Sequence, residues 1–311
     1  MTTICFPRKR DFLLLGILFF SASFLAAQSR PGPSAPAVTP AAQAADAVSV
    51  QPDLPYAVQG GEELLLDVYL PPEPGSRPRP AIVLIHGGGW TSFDKGTMQR
   101  MASFLARSGF VAVAVNYRLL QGSENRWPAQ LDDVQRAVRW VRANASKYNI
   151  DASHIGAFGH SAGAQLASLL GMEETRDNSD VVLAGYSSRV QAVVDVSGPT
   201  DFLVPHDADG DAALANLFGG GRDKFPAVWR DASPVFHVEK SNAPFLIVHG
   251  TGDSQVPIAQ AQELNDKLRQ AGVSVSFVKL DDGHTFNTAE ARRQLALETL
   301  TFFNRSLVVN P

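Results

Sequence analysis

Between residues 64 and 280 the chain returns seven times to a short apolar run of β-like composition, and helical spacing fills most of the gaps. The first run, LLLDVYL (64–70), alternates sides and stops at Pro71 and Pro72, as an edge or early strand would. The others are PAIVLIH (80–86), FVAVAVNY (110–117), HIGAFG (154–159), VQAVVDVS (190–197), PFLIVHG (244–250) and VSVSFVKL (273–280). Most are nearly continuous in apolar residues, the pattern of strands buried on both faces. Helical spacing is predicted over 98–107, 127–147, 162–170, 258–271 and 291–304; Leu131, Val134, Val138 and Val141 mark one face of the second. The class implied is α/β, a mostly parallel central sheet flanked by helices, and in such sheets active sites lie beyond the carboxyl ends of the strands.

One stretch breaks the alternation. About 198–242 are too many residues for a simple connection, and they carry Phe202, Phe218, Phe225 and Trp229. We read them as a helical insertion over the site, the alternative being a long surface loop.

The ends of the chain differ from its middle. Arg8, Lys9 and Arg10 precede an apolar run over 12–25, followed by Ala26 and Ala27. The run is shorter than the ~20 residues of a spanning helix and ends in small residues, so 1–27 is read as a cleaved export signal rather than a retained anchor. No stable membrane anchor is expected after cleavage, and an exported, periplasmic or extracellular, protein is implied. Residues 28–50 are rich in Pro, Ala and Ser and are read as a linker. Residues 51–311 then form one catalytic domain. The only cysteine, Cys5, lies in the signal, so the mature protein has no thiol to use. A net charge of -4 gives no polyelectrolyte footprint, and nucleic acid is not an expected partner.

Chemistry concentrates at Gly159-His160-Ser161-Ala162-Gly163, a G-x-S-x-G pentapeptide between a predicted strand and a predicted helix. There the glycines allow a sharp turn that lifts the serine hydroxyl to the sheet's carboxyl edge, with a helix N-terminus behind it. A serine needs a base, and the base an orienting acid, in this architecture in the chain order Ser, Asp or Glu, His. His284, in LDDGHTF after the last strand, is the histidine left by elimination. Asp253, in IVHGTGDSQVP, follows the preceding strand and is the acid; its other reading is a turn or cap residue, and Asp201 is the fallback acid. Asp281 and Asp282 adjoin the base in sequence, a poor geometry for holding its ring. HGGGW (86–90) ends the second apolar strand, and the N–H groups of Gly87, Gly88 and Ala162 are the expected oxyanion donors.

These motifs, with FDKG (93–96), NYRL (116–119), WPAQLDDVQRAVRWVR (127–142) and GHSAGAQLA (159–167), resemble the α/β-hydrolase superfamily. The likeness is nearest its bacterial feruloyl-esterase-like and acetylesterase branch, akin to hormone-sensitive-lipase-type esterases, and runs from about residue 51 to the end. It implies Ser161, Asp253 and His284 as a triad. His160 stands where hormone-sensitive-lipase types usually carry Asp, which favours the feruloyl-esterase-like branch, and Ala164 replaces a frequent glycine. Feruloyl and acetyl-xylan esters are suggested by the resemblance alone.

The expectation is an exported carboxylic-ester hydrolase for small-molecule or polysaccharide-linked esters, with no cofactor and no metal. The alternatives are a non-catalytic ligand-binding module on the same fold, and a small serine exopeptidase. Trp90, Phe93, His160, Phe202 and Trp229 are the candidate pocket residues. The acidic DADGDA (207–212) is read as a solvated loop, since its glycine comes too early for a calcium loop and Phe218 stands where a closing Glu is needed. Arg118 and Asp133 are a candidate ion pair beneath the site.

Overall fold

Eight strands form one sheet in the order β1-β2-β4-β3-β5-β6-β7-β8. They are β1 (Ser49–Gln59), β2 (Glu62–Leu70), β3 (Arg79–Ile85), β4 (Val111–Val115), β5 (Ile150–His160), β6 (Ala192–Val196), β7 (Phe245–Gly250) and β8 (Val275–Leu280). β1 and β2 pair antiparallel, as do β2 and β4; every other pairing is parallel. The structure, a computed structural model, describes residues 47–308 apart from 74, 206 and 207, all within one compact unit. The export signal and nearly all of the linker lie outside the described residues.

The parallel strands are buried on both faces because each alternates its side chains between two cores. Ala81, Val83 and Ile85 of β3 join one core, Ile82 and Leu84 the other. The first core is closed by α2 (Ala129–Ala143), α3 (Ala162–Leu170) and α6 (Ile258–Gln270), through Leu131, Leu166 and Leu264. The second is closed by α1 (Gln99–Arg107) and α7 (Ala289–Leu307), through Leu105, Phe302 and Phe303.

β1 is the element that the apolar pattern does not announce. Its sequence, SVQPDLPYAVQ, holds two prolines and is mostly solvent-facing, and the pairing with β2 shifts register at Gln51/Leu54 and Pro55/Ala57. Proline is tolerated there because β1 is an edge strand. It starts at Ser49, two residues before the expected domain boundary. The 198–242 insertion is helical, with α4 (Ala208–Leu217), α5 (Pro226–Asp231) and a 3-10 turn at Pro234–Phe236. DADGDA is therefore not a solvated loop over its described part: from Ala208 it is the first turn of α4, and Asp211 pairs with Arg222.

α2 carries an unusual burden of buried charge. The Asp133 carboxylate is fully buried and accepts from Arg118 Nη2 at 2.7 Å, Arg118 Nε at 2.8 Å and the Arg118 amide at 2.9 Å. Arg139 and Arg142 extend from the same helix to carbonyls at 177, 183, 187 and 189, fastening the α3–β6 connection. Asp132, in the first turn, is less well served. Its Oδ1 is buried without a hydrogen-bond partner. Burial pushes its pKa up to about 6; Arg176 opposes the rise, and Asp177 and Asp133 add to it.

α3 approaches the sheet so closely that two positions have no room for a side chain. A Cβ on Gly163 would lie 2.2 Å from the Ile85 carbonyl oxygen, and one on Gly159 2.1 Å from the Gly163 carbonyl oxygen. Both obstacles are backbone, which cannot swing aside. Gly163→Ala should therefore cost about 3 kcal/mol of stability in urea unfolding, and a wild-type midpoint would refute the close approach. The Asp132 carboxyl predicts a pH effect. Its folded pKa exceeds the ordinary carboxylate value, so the folded state holds a proton between about pH 4 and 6 that the unfolded state releases, and stability falls as pH rises through that window. Asp132→Asn should raise stability at pH 7.5 by on the order of 1 kcal/mol, discounted for partial contact with solvent, and the gain should vanish near pH 4. Melting curves of both proteins across that range measure it, and a pH-independent difference would contradict it.

Candidate active site

Ser161 sits at the junction of β5 and α3 with φ 55° and ψ -122°, a left-handed backbone that a non-glycine residue adopts only when its surroundings impose it. The imposition comes from both sides. The Ser161 N–H donates to the Val196 carbonyl at 2.9 Å, and its own carbonyl accepts from Ala164 at 2.9 Å in the first turn of α3. Ser161 is half-buried; its hydroxyl makes no hydrogen bond to the described residues and faces a cavity of about 480 Å³ that is also lined by Gly87, Gly88, His160 and His284.

His284 and Asp253 arrive from the two neighbouring loops at the same edge. His284 Nδ1 lies 2.7 Å from Asp253 Oδ2, with the carboxylate fully buried and the imidazole almost so. Burial alone would raise the carboxyl pKa. Hydrogen bonds from His249 and His284 and from the Val256 amide overturn that and hold it well below the usual carboxylate range. An ionised carboxylate only accepts, so His284 Nδ1 carries the hydrogen and Nε2 keeps its lone pair. Ser161 and His284 share the walls of two cavities, and no hydrogen bond joins them in this structure.

The Gly87–Gly89 turn is held by its carbonyls. The Gly88 oxygen accepts from the Thr91 and Ser92 amides at 3.1 Å each and from the Ser92 hydroxyl at 2.9 Å. The Gly87 oxygen accepts from the Tyr117 hydroxyl and lies 2.7 Å from His86 Nδ1. Gly88 has φ +103°, and a Cβ there would meet the Ser92 carbonyl oxygen at 2.1 Å. With the carbonyls engaged, the amide N–H groups of Gly87, Gly88 and Ala162 have no acceptor among the described residues. His86 stacks on Tyr117 at 4.3 Å beneath this turn, and burial lowers its pKa.

Four of the five pocket candidates reach a cavity at the site. Trp90 and Phe202 line a second cavity of about 230 Å³ beside Ser161 and Ala162, closed by Leu214 and Leu217 of α4, so the insertion does stand over the serine. His160 and Phe93 line the 480 Å³ cavity, Phe93 as an exposed rim residue. Trp229 does not reach the site. It is 1% exposed, donates its indole N–H to the Gly220 carbonyl at 2.9 Å and packs edge-on against Phe218. A tryptophan in an insertion has to bury its large surface somewhere, and here it serves the insertion's own core.

Asp201, the fallback acid, is not with the base: its Oδ1 accepts from the Leu203 amide at 2.8 Å as a turn residue. Asp282 accepts from the amide and hydroxyl of Thr288, the residue that caps α7, and these bonds with that from Gly283 hold it at about 2. Sequence reasoning passed over His249 because it ends β7 ahead of the acid. It is fully buried; Nε2 lies 2.8 Å from the Val256 carbonyl, to which it donates, and 3.3 Å from Asp253 Oδ2. The signal was the i, i+4 spacing of His249 and Asp253 across a tight turn. Among the described residues no group of His, Cys, Asp and Glu could hold a metal ion.

The chain is similar to known esterases. Esterase LipQ of Mycobacterium tuberculosis is 32% identical over 266 residues, covering 81% of this chain and 61% of the relative. Esterase LipC of the same organism is 31% identical over 237 residues, covering 74% of this chain and 58% of the relative. The chain thus spans about three fifths of the length of these relatives. A solved structure described as a truncated carbohydrate esterase from gut microbiota superposes with a TM-score of 0.71 at 29% identity, covering 84% of this chain and 97% of that one. The BD-FAE family model matches residues 66–268, the span that holds the serine elbow, the glycine turn and the buried acid, and the chain belongs to that family.

Proposed function

We propose that this chain is a serine carboxylic-ester hydrolase working through an acyl-enzyme, with Ser161 as nucleophile, His284 as base and Asp253 as the orienting acid. The observation that carries the reading is the 2.7 Å Asp253–His284 contact facing the cavity that Ser161 enters from a strained elbow. The esterase names of its relatives support it. Export through the leader over 1–27 belongs to the same proposal.

The reaction follows from the groups present. Ser161 Oγ attacks the ester carbonyl carbon as His284 Nε2 takes the hydroxyl proton, and the carbonyl oxygen becomes an oxyanion. The amides of Gly87, Gly88 and Ala162 receive that charge; they sit in place beforehand, so no reorganisation accompanies the step, and each is worth about 3 kcal/mol in the barrier. Asp253 stabilises the imidazolium, which then protonates the departing alcohol oxygen. Water repeats the attack on the acyl-enzyme and releases the acid. The hydroxyl and imidazole need a small closing movement to reach hydrogen-bond distance, as is common in unliganded sites. The substrate class proposed is small, aryl-linked or carbohydrate-linked esters.

Ser161→Ala should lower kcat on 4-nitrophenyl acetate by on the order of 10⁶, and an organophosphonate should label the wild type at that residue stoichiometrically. Turnover that survives the substitution would remove the proposal; reversible ligand binding without labelling would favour a binding module instead. His249 supports Asp253 from the buried side, so His249→Leu should reduce kcat by roughly 10-fold with little change in KM, the value of one hydrogen bond to a charged group. An unchanged kcat would show that Asp253 needs no second imidazole.

A further inference from the structure

Resting on the ester-hydrolase reading, we infer that the cleft between α1 and α7 is the subsite for the alcohol portion of the substrate, and that it selects an apolar, aryl-sized alcohol bearing an anionic group. The cleft has a volume of about 470 Å³. It shares Thr97, Met98, His160 and Thr285 with the cavity into which Ser161 projects, so the two spaces adjoin without a wall of other residues.

Its position assigns it to the leaving side. Thr285 is the next residue after His284, and the His160 ring is fixed with Nε2 2.9 Å from the His284 carbonyl oxygen. The cleft therefore meets the site beside the imidazole that returns a proton to the departing oxygen. The smaller cavity beneath α4 also touches His284, but it shares none of the cleft's lining and runs along Trp90, Ala162 and the insertion. An ester held with its carbonyl oxygen on the glycine turn has two substituents to place: the smaller cavity beneath α4 takes one, and the 480 Å³ cavity with the cleft that opens from it takes the other.

Its chemistry gives the class. Met101, Phe104, Phe158, Phe286 and Leu295 make an apolar lining, the ordinary character of a small-molecule site. Arg100, Arg292 and Arg293 stand at the same cleft. Arg293 is paired with Glu290. Among the described residues Arg100 and Arg292 have no acidic partner within 4 Å: Arg292 donates through Nη1 to the Phe286 and Asn287 carbonyls, and Arg100 makes no hydrogen bond. Two guanidinium groups without counter-charge over an apolar floor complement a molecule that is apolar along its body and anionic at its end.

The test compares 3-(4-acetoxyphenyl)propanoate with its N-methylamide. Both release a phenol of the same reactivity, since two methylenes insulate the ring from the charged end. The wild type should show kcat/KM higher for the anion by about 5-fold or more, falling with added salt as screening grows. Arg100→Glu, a change at an exposed residue outside the triad and the glycine turn, should remove or reverse that preference, and the variant should still be labelled stoichiometrically at Ser161 by an organophosphonate. Equal rates for the two esters in the wild type, or a preference that persists in Arg100→Glu, would overturn the subsite while the hydrolase reading stands. Calorimetric titration of Ser161→Ala with 3-(4-hydroxyphenyl)propanoate separates the two: binding weakened at least 5-fold by the added Arg100→Glu supports the subsite even if turnover fails, and binding indifferent to it refutes the subsite.

Discussion

The site depends on how closely α3 presses against β3 and β5. That approach is possible because Gly159 and Gly163 offer only hydrogen where the facing backbone stands 2.1 to 2.2 Å from an ideal Cβ. It turns the chain in one residue from strand to helix, forces Ser161 into a left-handed conformation, and aims the first amides of α3 at the space its hydroxyl enters. The same approach sets the other side of the oxyanion site, because the Gly163 position lies against the carbonyls of Ile85 and His86, where β3 runs into the glycine turn. The proposed nucleophile and oxyanion donors are thus fixed by one packing contact, and strain in a single residue is held by a well-buried helix.

Charge is managed differently around the acid. Burial disfavours a carboxylate, yet Asp253 is held ionised by the Gln255 and Val256 amides on Oδ1 and by His284 on Oδ2, with the His249 ring 3.3 Å from that same oxygen. A carboxylate so bound has no freedom to turn and fixes both the tautomer and the plane of the His284 ring. His284 needs freedom only at Nε2, which is where the proton moves. The arrangement makes the acid a fixed reference and leaves the small adjustments to the serine and imidazole.

What the sequence disclosed follows from how local each signal is. β3, β4 and α3 were legible since their periodicity is set by burial on known faces, and α3 was bounded to the residue because glycine and serine punctuate both of its ends. β1 was not, because an edge strand with Pro52 and Pro55 shows neither continuous nor alternating apolar residues, and only its partner β2 makes it a strand. The meeting of Asp253 with His284 was readable because element order alone brings their loops to one edge. Trp229 was misplaced because aromatic composition says that a side chain will be buried and not in which core. His249 was overlooked for a related reason: chain order ruled it out as the base, and its i, i+4 spacing to Asp253 becomes a signal only once the intervening residues are known to form a tight turn.

The insertion is coupled to the catalytic frame through aromatic rings. Trp90, directly after the glycine turn, meets Phe202 at 5.7 Å; Phe202 meets Phe218 at 5.2 Å; Phe218 meets Trp229 at 5.0 Å. Gln165 of α3 ties the same group together, accepting from the Trp90 indole at 3.1 Å and donating to the Ala232 carbonyl at 2.8 Å. The wall of the smaller cavity and the glycine turn are therefore joined in one packed unit. A substitution that loosens Phe218 acts on the position of Trp90 and, through it, on the amides of Gly87 and Gly88. Selectivity set by α4 and the rate of the chemical step share this route, whereas the α1–α7 cleft belongs to the other core and is independent of it. On the reading proposed above, changes at the exposed Arg100 and Arg292 of that cleft alter which ester binds without touching this aromatic chain.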